Sequence, residues 1–203
     1  MARYRKTRPD KPEGWDASPR TIAEMRTKIE RGAYGAGGQR IRGKVSDEQF
    51  RAGLGDLTTR QTIARQMAAG DKHAYRNAMQ QLRRYASGQR GTGVPESVKR
   101  RVADQARKVN QAGRVDKIRN ARRVRVKMVT DATISAKSRD NFGPGYSGAG
   151  LGAEIDPSTF AEALERGDTW SIMAMAYEDY WPGSEDAAIY FEDVQDVEII
   201  IDE

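Results

Sequence analysis

The feature that most constrains this chain is the order of its charges. Through residue 127 it carries 32 Lys and Arg against 12 Asp and Glu, a net +20. From residue 128 onward the count is 3 against 17, a net −14. A segment so rich in cations keeps most of them at its surface and buries only short apolar stripes. It attracts polyanions by neutralising phosphates and releasing counterions. The acidic part is repelled by the same polyanions, which suits it to a basic partner or to a second copy of the chain. Duplex or terminal DNA is therefore the expected partner, set against an ordinary solvated basic surface, an acidic protein or a membrane surface.

Composition removes several classes. The 203 residues suggest one or two domains. There is no cysteine, so disulfides and thiolate metal sites are excluded. One histidine, His73, leaves no basis for a histidine metal site or a His-dependent triad. No run of about 18 apolar residues is present, so no membrane span is expected. The basic N-terminus lacks the apolar stretch of a secretory signal. No cofactor, no metal and no catalytic residues are expected, with a cytoplasmic, nucleoid-associated location. The acid pairs Glu178-Asp179 and Glu185-Asp186 are adjacent in sequence. Neighbours on a helix point about 100° apart, which suits general acid/base work poorly.

Residues 1–17 read as a disordered basic arm. "SPRTIAEMRTKIERG" reads as a helix capped by Ser18, with Pro19 at its first position and Gly32 as its stop. Ile22, Met25 and Ile29 share one face. "AYGAGGQRIRGK" lacks the Lys-Ser/Thr ending of a P-loop and reads as a flexible connector. Ser46 with Gln49, and Thr58 with Gln61, have the capping-box form. The second opens a stretch expected to give a helix, a break near Ala69-Gly70-Asp71 and another helix ending near Gly88, the outline of a helix-turn-helix over residues 59–88.

In the second of these helices Tyr75, Met79, Leu82 and Ala86 form an apolar stripe expected in the core. His73, Asn77, Gln80 and Arg84 lie opposite, flanked by Lys72, Arg76 and Arg83. Arg pairs with guanine O6 and N7, and Asn or Gln with adenine N6 and N7, so this mixture suits major-groove reading. A further helix carries Val98, Val102, Ala106 and Val109 on its apolar side. Arg100 and Arg107 are expected to face away from it and to bind DNA, Arg100 and Arg101 are assigned to DNA phosphates, and Gly113 is expected to end the helix. In "ARRVRVKMVT", Val124, Val126 and Met128 alternate with Arg123, Arg125 and Lys127, the two-residue period of a half-buried strand. Arg123 and Arg125 are added to the DNA-binding set.

The acidic half reads as a loop, "NFGPGYSGAGLG", then two helices capped by Asp156 and Asp168, the second stopped at Pro182-Gly183. Two short strands about a turn near residues 193–196 close it. The expected fold is mainly α in the N-terminal half, a helix-turn-helix-like bundle, followed by a small α+β domain. The expected boundaries are 1–17 for the arm, 18–113 for the helical DNA-binding domain and 120–203 for an acidic domain that binds a partner or dimerises.

Two stretches resemble the telomere terminal proteins of linear actinomycete replicons. In "LRRYASGQRGTGVPESVKRRVADQ", Arg84, Tyr85, Gly88 and Pro95 are similar to that family's exit from its helix-turn-helix. "AMAYEDYWPGSEDAAIYFEDVQDVEIIIDE", with Tyr190-Phe191 and residues 194–201, is similar to its final helix and acidic β ending. Together they cover about half the chain, and residues 32–43 and the basic arm match nothing in the family. The resemblance implies a DNA-binding protein of linear DNA ends that serves as a protein primer, is not itself an enzyme, and works with a DNA polymerase and a telomere-associated protein. It also implies a hydroxyl that accepts the first nucleotide. Thr130 and Thr133, just past the cations of the seam, are the first candidates, followed by Ser135 and Tyr146. The alternatives are a helix-turn-helix transcriptional regulator with a C-terminal dimerisation domain, and a phage structural protein with a basic face toward nucleic acid.

Overall fold

Two separate apolar clusters organise the chain, and each belongs to its own unit. The first unit comprises residues 1–35 and 114–203, the second residues 36–113. The computed structural model describes residues 11, 14–89, 93–136, 150–178 and 187–202.

The first unit holds a four-stranded sheet in the order β1-β4-β2-β3. Its strands are β1 (Trp15–Ala17), β2 (Arg123–Ala136), β3 (Gly150–Ile155) and β4 (Ala187–Asp202). Strand β4 runs antiparallel to β2 and parallel to β1, and β3 is antiparallel to β2. Three helices, α1 (Pro19–Tyr34), α6 (Pro157–Arg166) and α7 (Thr169–Glu178), join the sheet in this unit. The alternation expected in β2 is present. Val124, Val126 and Met128 are fully buried, while Arg123, Arg125 and Lys127 are exposed. The buried side packs with Met25 and Ile29 of α1, Phe160 of α6 and Met173 of α7.

The expected boundary before residue 18 is therefore corrected: β1 and α1 join the C-terminal strands. Trp15, assigned to a disordered arm, is 8% exposed and its ring lies 5.6 Å from that of Phe191. Burying so large an apolar group outweighs the polar character of the residues around it. The expected turn at residues 193–196 is also corrected, because β4 is one continuous strand. Its register against β2 shifts twice, passing over Gln195 and then Glu192. These are β-bulges, two residues facing one. The displaced carbonyls are taken up by α1. Thr21 Oγ1 donates to the Glu192 carbonyl at 3.2 Å, and Lys28 Nζ donates to those of Val194 and Gln195. Asp193 and Asp196 each accept from the next backbone N–H. The polar run that reads as a turn is thus absorbed within a strand.

Two glycines expected as helix stops lie inside helices. In α1 the chain turns instead at Gly35, φ 64°. A Cβ on Gly32 would come within 3.2 Å of the Ile199 side chain, so this glycine permits close approach of helix and strand. Gly113 lies within α5 (Glu96–Arg119), which continues until Val115 and Ile118 reach the first unit's core. Their burial offsets the roughly 1 kcal/mol that a helical glycine costs.

The second unit contains α2 (Asp47–Gly55), α3 (Leu57–Ala68), α4 (Lys72–Ala86) and most of α5. Its core joins Phe50 and Leu54 of α2, Ile63 of α3, Leu82 of α4 and Val102 of α5. Ser46 and Gln49 form the expected capping box. Thr58 does not cap α3. Asp56 does so two residues earlier, its carboxylate accepting the Thr59 N–H at 2.5 Å. The glycine-rich connector is pinned through its carbonyls. Asn110 donates to Gly37, Gln111 to Gly38, and Arg100 to Ile41 and Gly43.

Between α3 and α4, Ala69 is left-handed at φ 46°, the one non-glycine with positive φ among the described residues, and Gly70 follows at φ 97°. An L-residue with a Cβ is strained in that region. Ala69→Gly is expected to stabilise the second unit by about 0.5–1 kcal/mol. Thermal unfolding followed by helix circular dichroism measures it, and an unchanged or lower midpoint would show that the turn stores no such strain.

Candidate nucleic-acid interface

Helix α4 is fixed at its start by Asp71, whose Oδ1 accepts the N–H groups of His73 and Ala74 at 2.6 and 3.2 Å. Its apolar stripe faces inward as expected. Met79 and Leu82 are buried, Tyr75 and Ala86 half-buried, and Ala78 completes the stripe. The opposite side carries Lys72, His73, Arg76, Asn77, Gln80, Arg83 and Arg84, all exposed. None of these seven side chains has an ion-pair or hydrogen-bond partner among the described residues. At about 100° per residue they divide in two. Lys72, Arg76 and Arg83 form a cationic flank. His73, Asn77, Gln80 and Arg84 form the crown, farthest from the core.

The acids of this unit are largely committed to structure. Asp56 and Asp71 cap helices, and Asp47 meets Lys99 at 2.5 Å. The hydrogen bond from Lys99 holds the Asp47 carboxyl below its usual range. Glu96 accepts the Val45 N–H at 2.8 Å. The unit contains 16 Lys and Arg against 6 Asp and Glu, a net +10; the first unit contains 19 against 23, a net −4. The fold thus divides charge less sharply than the sequence does, because α1 and the seam belong with the acidic strands.

Several proposed DNA contacts are placed differently from expectation. Arg100 is half-buried and spends its guanidinium on the Ile41 and Gly43 carbonyls and on Glu96 at 3.6 Å. Arg107 does not face away from the core. It is half-buried, and its Nε is shielded from solvent. Arg101 is exposed. Arg123 and Arg125 belong to the first unit and form cross-strand ion pairs with Glu154 and Asp202, each at 3.5 Å, beside Lys127 and Glu198 at 3.1 Å. That is the physical content of the seam: strands from the basic and acidic halves pair, and their outward charges neutralise one another. Each such exposed pair contributes about 0–1 kcal/mol.

The hydroxyl candidates divide similarly. Thr130 is 5% exposed within β2, so it is not on the reachable loop or strand end that an acceptor requires. Thr133 and Ser135 occupy β2 positions opposite Tyr190 and Ala188. Tyr146 lies outside the described residues.

One residue escapes the sequence pattern. Arg65, in the last turn of α3, joins Lys72 and Arg76 around a cleft of about 430 Å³ at the α3–α4 turn. Its signal is position: a cation one turn before the break, on the side away from Ile63 and Ala64. Among the described residues there is no cluster of metal-ligating side chains, and no helix is long and apolar enough to cross a membrane. No family model, curated protein or solved structure matches the chain.

Proposed function

We propose that the chain is a DNA-binding protein whose second unit presents α4 to a duplex groove. The observation that carries this reading is the outer side of α4: cations and amides held clear of the core by a buried stripe, with no acid among the seven residues. Such a side matches the donor and acceptor pattern of base edges, with phosphates on its flanks. The resemblance to terminal proteins extends the reading to the ends of linear DNA. On that extension the second unit holds the duplex and the first unit holds a polymerase or another protein partner. A hydroxyl of the chain attacks the α-phosphorus of an incoming nucleotide in the polymerase site, and pyrophosphate leaves. Thr133, Ser135 and Tyr146 are then the acceptors to test, since Thr130 is buried.

The experiment is a fluorescence titration of the full chain with duplexes selected from a random pool. Asn77→Ala and Arg84→Ala are each expected to cost about 1–3 kcal/mol on the selected site where the side chain pairs with a base edge in bidentate fashion, with a smaller effect on random duplex. Equal effects on both would remove α4 from base reading. Failure of the parent chain to bind any duplex at low salt would end the proposal.

A further inference from the structure

The cleft at the α3–α4 turn has a composition that general basicity does not account for. Three cations from two helices converge on it: Arg65 from the last turn of α3, and Lys72 and Arg76 from the first two turns of α4. All three are exposed and have no acidic partner among the described residues. Like charges brought together repel unless something of opposite sign lies among them. The one acid in the lining, Asp71, sets a single negative charge against three positive ones, and its Oδ1 is turned to the N–H groups of His73 and Ala74. Tyr75 adds a half-buried ring to the wall. Lys72 and Arg76 of the cationic flank line this cleft, whereas Arg83 and the crown residues Asn77, Gln80 and Arg84 are absent from its lining.

We infer that this cleft seats one phosphate group, held by Arg65, Lys72 and Arg76. In the DNA reading, on which the assignment of source rests, the group is a backbone phosphodiester. Its role is to fix the register of α4, so that the crown meets base edges while the flank holds the strand. A contact to phosphate positions without specifying sequence. Two guanidinium forks and an ammonium satisfy several phosphate oxygens together, which a single surface lysine cannot do. A free nucleotide offers the same chemistry through its terminal phosphate, so the test separates the two sources.

The full chain is titrated with a short duplex across a salt series, and separately with inorganic triphosphate by calorimetry. The cleft variant is Arg65→Gln with Arg76→Gln. The control is Arg42→Gln with Lys108→Gln, which removes the same charge from exposed positions outside the cleft. A charge-keeping pair, Arg65→Lys with Arg76→Lys, separates charge from packing. One seated diester predicts that the cleft variant flattens the slope of log affinity against log salt by about 0.9. The control and the lysine pair are expected to keep the parent slope. Stoichiometric triphosphate binding that disappears in the cleft variant would support the seat and assign it to a free nucleotide, even if no duplex binds. Duplex binding with equal slopes in the cleft and control variants, and no triphosphate bound, would overturn the seat while leaving the DNA reading intact. A chain that binds neither duplex nor triphosphate would overturn both.

Discussion

Phe191→Ala is expected to destabilise the first unit by about 3–5 kcal/mol, the range for removing a fully buried ring. Phe191 is 0% exposed, and its ring lies 5.6 Å from that of Trp15 and 6.5 Å from that of Trp170. The three rings come from β4, β1 and α7, so one deletion loosens three elements. Strand β1 is the most dependent. It pairs over only three residues, Trp15 to Ala17, and its one large side chain rests on Phe191. The measurement is denaturant unfolding followed by tryptophan fluorescence. Trp15 and Trp170, the described Trp residues, both lie in the first unit's core beside Phe191, so their signal reports that unit. A destabilisation below about 1 kcal/mol would show that the aromatic cluster collapses readily around the gap. A parallel fall in duplex binding would show that the two units do not unfold independently.

The expected mainly helical fold with a small C-terminal sheet is present, and its errors have local physical causes. Periodicity located α4 because Tyr75, Met79, Leu82 and Ala86 all lie on the inward side. It located β2 because cations and aliphatics alternate from Arg123 to Met128. Caps were legible at Ser18, Ser46, Asp156 and Asp168, but not at Asp56, whose carboxylate caps α3 in place of Thr58. Glycine misled twice. Gly32 and Gly113 have the form of helix stops, but each sits in a helix whose later residues are buried, and tertiary burial outweighs propensity. The bulges in β4 were illegible because Glu192 to Asp196 have turn chemistry; only α1, remote in sequence, supplies Thr21 and Lys28 to the displaced carbonyls. For the same reason the association of β1 and α1 with the C-terminal strands could not be read locally. In the candidate interface, exposure of the seven α4 residues follows from the helical period. The withdrawal of Arg100, Arg123 and Arg125 into structural contacts does not, since their partners Ile41, Gly43, Glu154 and Asp202 lie 31 to 77 residues away.

Those withdrawn cations determine the second large effect, the response of DNA affinity to salt. A chain whose first 127 residues carry a net +20 suggests a very steep response. The structure reduces it. On α3, α4 and the start of α5, Arg65, Lys72, Arg76, Arg83, Arg84 and Arg101 are exposed and have no acidic partner among the described residues. With Arg65, Lys72 and Arg76 sharing one phosphate, Arg84 on a base edge, and Arg83 and Arg101 on one phosphate each, log affinity falls with log salt at about −0.9 for each of about three contacts, and raising salt from 50 to 200 mM costs about 40-fold in affinity. That is well below the fall of about 10³ to 10⁵ for a protein with about 6–10 phosphate contacts. Arg83→Glu with Arg101→Glu is expected to flatten the slope by about 2, because two phosphates are no longer neutralised. Arg123→Gln with Arg125→Gln is expected to leave it unchanged, because Glu154 and Asp202 already balance those charges within the first unit. Fluorescence titrations of the full chain on one duplex at several salt concentrations give all three slopes. A flat parent response would eliminate phosphate contact as the source of affinity. A parent slope much steeper than three contacts allow, lowered by the Arg123 and Arg125 change, would place the β2 cations on the DNA and break the cross-strand ion pairs as an account of the seam.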